Sequence, residues 1–336
     1  MSRVRVLSLV LATASALGFL PVGACFVDLP VPPALADAGS RTDGADGSVG
    51  SCDGPCPVVE IATDPSGYNI AADESGVYWT DRVSGKVRHA AVDGGEVKTI
   101  CDPKTAPQDL ALDDASVYWT EQDRVRKIAK TKVEATSADG ELVNEASPHA
   151  IFVRGDEVFW HNRSSGDLRR ATASFAAAAI TMTRQTADVA ATAVDDRYVY
   201  LAVGGGVNHV QRFPRNSSGS LESVSPPIDD VRGMAIDSER AYFTSSNNGR
   251  VAASWLSDGR DAGTLASSER APRGITVDAT YVYWADHDAG AVRRAPMAGG
   301  TIVTLAASQK NVTAVAVNSY AVYWITEDGV VGMVRK

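Results

Sequence analysis

The chain has 336 residues, enough for two ordinary domains or for one large closed β architecture with a sizeable core. Its 41 acidic residues outnumber 32 basic ones, giving a net charge of −9. The charge is spread along the whole length, and no run of Lys or Arg forms a stripe that could track a phosphate backbone, so nucleic acid is excluded as a partner class.

In chain order, Arg3 and Arg5 precede an uncharged apolar run from Val6 to Leu20. That run is too short for an ordinary membrane span and reads, within residues 1–24, as an export signal. Val22-Gly23-Ala24-Cys25 follows it and resembles a bacterial lipobox. The resemblance implies a lipidated Cys25 that holds the protein at a membrane of the bacterial cell envelope, outside the cytoplasm, since more than one acyl chain gives stable anchoring. The alternative is ordinary cleavage, for which Ala34-Leu35-Ala36 offers a site. Residues 25–56 are rich in Pro, Gly, Ala, Asp and Ser and form an expected flexible tether. In an exported protein Cys52 and Cys56 are expected to close a small disulfide loop, which leaves Cys101 as an odd thiol. A metal reading of the pair lacks two further ligands.

From there the sequence repeats. "GVYWT", "SVYWT", "EVFWH", "YVYLA", "RAYFT", "YVYWA" and "AVYWI" align on Trp79, Trp119, Trp160, Leu201, Phe243, Trp284 and Trp324, at spacings of 40, 41, 41, 42, 41 and 40 residues. Before each lies a short apolar strand ending in a turn residue. That residue is Asp73, Asp113, Asp195, Asp237 or Asp278, with Arg154 and Asn318 as departures. Aspartate suits such a turn because its carboxylate accepts its own downstream amides. Two further short strands complete each unit, and four strands in about 41 residues is the size of a propeller blade. The last unit ends after its third strand, while residues 57–62, "PVVEIA", match a lone fourth strand. The predicted fold is therefore all-β, a seven-bladed β-propeller of four-stranded blades over residues 57–336. Its ring is closed by the N-terminal strand pairing with Val330 to Arg335.

Tyr78-Trp79-Thr80-Asp81 and "APRGITVDATYVYWADHDAGAVRRAPMAGG" resemble the YWTD repeat of low-density-lipoprotein-receptor-type propellers, and the compact units are also similar to NHL-type bacterial propellers. The likeness spans 57–336. Receptor-type domains of that kind have six blades and accompany disulfide-rich modules, so the seven units here imply the fold and not receptor ligands.

In such a ring the loops leading into each first strand gather at one axial mouth, where ligands bind. The expected mouth residues are Tyr68, Asn69, Gln108, Asp109, His149, Arg232, Arg273 and Thr313, with Ala190 completing the set. His149 beside Asp109 is the candidate for a general base and its orienting partner, and NHL-like propellers include a lyase. Arg232 and Arg273, each followed by glycine, could together grip a carboxylate or phosphate, or simply offset the acidic surface. Asp81, Glu121, Asn162 and the run Asp286-His287-Asp288 read as solvated loop positions rather than metal ligands, and no metal or cofactor is implied. The leading expectation is an envelope module that binds a protein or small ligand. A lyase or hydrolase using the same mouth and a structural component of an envelope assembly are the alternatives.

Overall fold

The computed structural model describes residues 56–336 apart from 65–66, 104, 137, 185–188, 204–208 and 217–219. The expected signal 1–24, Cys25, Cys52 and the tether up to residue 55 lie outside the described residues. Cys56 is disulfide-bonded. Among the described residues the regular elements are all strands.

They form seven sheets, the blades I to VII of a seven-bladed β-propeller, over residues 67–102, 110–144, 148–184, 189–223, 231–266, 272–306 and 312–335. Each blade is an antiparallel meander whose second strand carries the Tyr-Trp segment, for example Gly76–Asp81 in blade I and Tyr281–Asp286 in blade VI. Blade VII takes three strands from the C-terminus and its fourth, Val59–Thr63, from the N-terminus. That strand pairs through Val59↔Met333, Glu60↔Gly332, Ala62↔Val331 and Thr63↔Val330, so the ring closes as the lone N-terminal strand predicted.

Blade I departs from the four-strand plan. Ala135–Thr136, within the connection between the third and fourth strands of blade II, adds to it in parallel through Cys101↔Ala135 and Asp102↔Thr136. Ala135 is buried there with Ile100, Cys101 and Trp119, and this packing draws the connection back to blade I. Burial pushes the Cys101 thiol up to about 11, which makes it a packing group rather than a nucleophile.

The core is seven inter-blade clusters. Each joins the Tyr position of one blade to the Trp position of the next, as Tyr78 meets Trp119 and Tyr242 meets Trp284. The expected turn chemistry is present: Asp237 Oδ1 accepts the amides of Glu239 and Arg240, both at 2.7 Å, and Asp278 repeats this with Thr280 and Tyr281. In four of the five turn aspartates the second oxygen accepts the tyrosine hydroxyl of its own blade, Tyr118, Tyr200, Tyr242 or Tyr283, at 2.6–2.7 Å, while Asp73 takes Lys130 and the Tyr78 hydroxyl pairs with Ser75 instead. Burial, then the aspartate acceptor, pushes those four phenols up, so each hydroxyl stays a donor.

Three of the repeat indoles are satisfied by the loop that enters their blade, whereas Trp119 Nε1 donates to Glu121 at 2.8 Å and Trp160 Nε1 is buried without a hydrogen-bond partner among the described residues. Trp79 Nε1 donates to Asp64 at 2.6 Å, Trp284 Nε1 to Glu269 at 2.8 Å and Trp324 Nε1 to Gln309 at 3.1 Å. Arg88 and Arg293 from third strands reach the same acids at 3.0 and 3.2 Å. The fourth tetrapeptide position is not solvated. Asp81, Glu121 and Asp286 are fully buried because their carboxylates anchor local backbone and side chains. Asp81 accepts the amides of Val83 and Ser84, and Asp286 that of Arg270.

Candidate functional site

The first strands line a cavity of about 1260 Å³ along the ring axis. Its deeper wall is aliphatic, with Ile70, Ile151, Met234, Ile275, Val315 and Val317, and its mouth is polar. Of the expected mouth residues, Tyr68, Asn69, Asp109, His149, Arg232, Arg273 and Thr313 line it, as does Ala190. Gln108 does not, which corrects the expectation. Its amide donates to the carbonyl of Thr120 and its carbonyl accepts from Thr80, which ties it between blades I and II.

Asp109 is the centre of the polar arc across blades I to III. His149 Nδ1 lies 2.6 Å from its Oδ2, the Ala150 amide donates to Oδ2 at 2.8 Å, and Asn69 Nδ2 donates to Oδ1 at 2.9 Å. Ala150 holds a left-handed backbone with φ 52°, uncommon for a residue with a Cβ, and its N–H is the one that reaches the carboxylate. Burial alone would raise the Asp109 carboxyl, but His149, the Ala150 amide and Asn69 together bring it down to about 2. Arg163 Nη2 sits 3.0 Å from His149 Nε2. A guanidinium only donates, so Nε2 is the acceptor and Nδ1 carries the proton toward Asp109. The one ring lone pair that could take a proton from a ligand is thus covered by Arg163.

This arrangement predicts a pH dependence. A carboxyl lowered from 3.8 to about 2 stabilises the fold above pH 4 and loses that contribution as pH falls toward 2. Between those limits the wild type is expected to lose about 2 kcal/mol more stability than Asp109→Asn, measured as urea midpoints at each pH. Equal losses in both proteins would contradict it.

On the opposite arc, Arg273 Nη1 and His287 Nε2 both meet Glu327 Oε1 at 2.9 Å, and Asn311 donates to Glu327 Oε2. His287 Nδ1 lies 2.5 Å from Asp288. His287 is therefore buried in a side-chain network rather than solvated. Arg232 pairs with Asp230 at 2.9 Å. Each arginine already holds a carboxylate of the chain, while Arg82, stacked 4.5 Å over the Tyr68 ring, forms no salt bridge among the described residues. Thr313 donates to the carbonyl of Ile325. Sequence reasoning missed Arg82 and Glu327 in the mouth. Both stand three places after their Trp, as do Arg163 and His287, and that shared offset was the available signal. Among the described residues no group of three or more His, Cys, Asp or Glu is placed to hold a metal ion.

No family model matches the chain, and no curated protein matches its sequence. Among solved structures it is similar to virginiamycin B lyase from Staphylococcus aureus, with TM-score 0.67 and 13% identity over 83% of this chain and 98% of that one. A catalytically inactive His-to-Ala variant of that lyase, with quinupristin, is matched as well. BamB from Moraxella catarrhalis gives TM-score 0.55 and 16% identity over 81% of this chain and 85% of that one. A nidogen/laminin complex gives 0.50 and 15% over 59% and 79%. At these identities the likeness is one of fold, and the chain is a seven-bladed β-propeller.

Proposed function

We propose that this protein is a YWTD- or NHL-like propeller, lipid-anchored at Cys25 after removal of the 1–24 signal. It is carried on the 25–56 tether outside the cytoplasm, and its axial mouth binds a protein segment or small ligand of the cell envelope. The observation that carries the reading is the axial cavity of about 1260 Å³, whose polar rim differs from blade to blade over an aliphatic wall. A repeat kept for packing alone would have no need of rim residues as unlike as Tyr68, His149, Ala190, Arg232 and Thr313 at equivalent positions. The fold neighbours include a propeller solved in a complex with laminin, which fits a protein partner.

Capture from the native envelope with the wild type and with Arg232→Glu/Arg273→Glu tests the mouth. Partners held by the wild type and lost from the double variant support the reading, and partners held equally by both overturn it. Cys25→Ser is expected to move the protein from the membrane fraction to the soluble one, and unchanged fractionation would count against the anchor.

A second reading is catalysis, favoured by the 2.6 Å approach of His149 to Asp109 inside the cavity. Arg163 over Nε2 ranks it second, since His149 becomes a base only after that guanidinium moves. Quinupristin is the probe: turnover abolished by His149→Ala would establish it, and an intact probe would remove the lyase form of this reading.

A further inference from the structure

On the face opposite the mouth, the first hairpin turn of each blade lies at the surface, and its charge is not uniform round the ring. In blades I to V the turn carries an exposed acid: Glu74, Asp114, Asp156, Asp196 or Glu239. In blades VI and VII the same turn reads Ala279-Thr280 and Ser319-Tyr320, with no acid. The residue just before it is Asp278 in blade VI, matched by Lys336 at 2.5 Å, and the neutral Asn318 in blade VII. Two neighbouring turns thus interrupt a ring of acids.

Arginine stands in that gap. Arg294 lies 4.4 Å over the Tyr281 ring and Arg335 5.3 Å over the Tyr320 ring, and neither joins a salt bridge among the described residues. Two other blades neutralise the position that Arg294 holds. Arg170 and Arg212, which pair with Phe159 and Tyr200 as Arg294 pairs with Tyr283, meet Glu157 and Glu222 at 3.0 and 2.8 Å. Glu74 of the adjoining blade I already accepts the amide and the hydroxyl of Ser319.

The same edge is apolar. Seven large hydrophobic side chains are exposed among the described residues, and three of them, Val58, Val59 and Val303, at 40–44% exposure, lie on the outer rim of these two blades. Val303 pairs with Arg294, and Val59 with Met333, two places before Arg335. Cys56, the first described residue, packs with Tyr281 and Val334 in the cluster between blades VI and VII. The chain that leads back to Cys25 therefore leaves the fold at this edge.

We propose that this edge of blades VI and VII docks on an anionic phospholipid surface. Arg294 and Arg335 meet the head-group phosphates, the Tyr281 and Tyr320 rings sit at head-group level, and the three valines face the acyl boundary. A lipid surface is the occupant because the segment expected to carry the anchor emerges here, and because the arginines are free on this side while the turns of the other five blades carry acids that such a surface repels. Docking by this edge leaves the axial mouth open away from the lipid. The proposal rests on the anchored reading of Cys25 for a membrane within reach. Two arginines alone give a weak, reversible contact, so Cys25→Ser is still expected to release the protein on fractionation.

The test uses the chain from residue 25 with Cys25→Ser, held through an N-terminal oligohistidine tag on nickel-chelating lipid. The vesicles are phosphatidylcholine alone or equal parts phosphatidylcholine and phosphatidylglycerol. An environment-sensitive fluorophore is placed on Ala298→Cys, in the exposed turn after the third strand of blade VI; Cys101 is buried and Cys56 disulfide-bonded. The fluorophore is expected to enter an apolar environment on the anionic vesicles only and to leave it at high salt, whereas a label on Ser238→Cys in blade V stays in water. Arg294→Gln/Arg335→Gln is expected to weaken docking about twentyfold, and Arg294→Lys/Arg335→Lys, which keeps the charge, to restore most of it. Arg197→Gln removes an exposed arginine of the blade IV turn and is expected to change docking less than about twofold. No change at Ala298→Cys on the anionic vesicles, the same change on phosphatidylcholine alone, or an equal loss in Arg197→Gln would overturn the proposal. A change that grows with protein concentration without vesicles would mark a second copy as the occupant and overturn it too. The tag supplies the tether whether or not Cys25 is lipidated, so this test and the Cys25→Ser fractionation fail independently.

Discussion

Trp284→Ala is expected to lower the unfolding free energy by about 4 kcal/mol, near the upper end for an aromatic core truncation. The indole is fully buried between blades V and VI against Tyr242, Val251, Ala266 and Ile275, and blade geometry prevents these neighbours from collapsing into the gap. Its N–H is also one of the groups that keep Glu269 acceptable in the interior. Burial already pushes that carboxyl up, against the opposing pull of Trp284 and Arg293. Trp284→Phe separates the two effects, because it keeps most of the apolar volume and removes only the donor, for an expected loss of about 1–3 kcal/mol. The chain contains its own control. In blade V the Trp position is Phe243, and the residue fifteen places earlier, where Glu269 stands relative to Trp284, is Ile228, packed in the same cluster. Phe meets an apolar partner and Trp an acceptor. Urea denaturation of Trp284→Ala, Trp284→Phe and Phe243→Ala checks this, and a Trp284→Phe loss below 0.5 kcal/mol would show that the indole bond contributes little.

The parts of the fold legible in the sequence are those fixed by period. Trp spacing, turn aspartates and the lone strand at residues 57–62 each recur or complete a pattern, so a one-dimensional alignment finds them. The acids beneath the indoles recur at a constant offset too, as Asp64, Glu269 and the polar Gln309 show. They sit in loops of mixed composition, where one polar residue does not stand out. Ala135–Thr136 was not legible, because a two-residue strand has no period and its pairing with Cys101 depends on which neighbour the loop meets. At the mouth, the residues before each first strand could be placed by register, and His149 and Asp109 do meet. The partners of those residues could not be placed. Arg163 over His149 and Glu327 beneath Arg273 come from second-to-third-strand loops whose path is set by three-dimensional crowding at the axis. For the same reason Arg232 and Arg273 read as free cations in sequence, although each is matched by an acid of the folded chain.

Removal of residues 1–63, which takes away the Val59–Thr63 strand, is expected to destabilise the propeller by on the order of 5 kcal/mol and to make it associate. The ladder to Val330–Arg335 is lost, and with it the cover that Ile61 and Ala62 give the cluster of Trp79, Tyr323 and Met333 between blades VII and I. A few backbone hydrogen bonds at about 1 kcal/mol each and two apolar side chains returned to water reach that sum. In a ring of this size about 5 kcal/mol lowers the melting temperature by roughly 10–20 °C. The freed strand Val330–Arg335 becomes an unpaired edge with Val331, Met333 and Val334 behind it, a template for pairing with a second copy. A synthetic peptide of residues 56–64 separates closure from a general defect of the shortened chain. Added in trans it is expected to raise the melting temperature and restore the monomer, while a scrambled peptide does neither. A shortened protein that melts within 2 °C of the full chain and stays monomeric would show that the N-terminal strand closes the ring without holding it. Closure also positions the site, because Gly67 and Tyr68 follow directly on this strand and Asp64 bonds both Trp79 and the backbone of Gly329. Ligands of the mouth are therefore expected to bind more weakly to the opened ring than to the closed one, and the trans peptide is expected to recover that binding together with the stability.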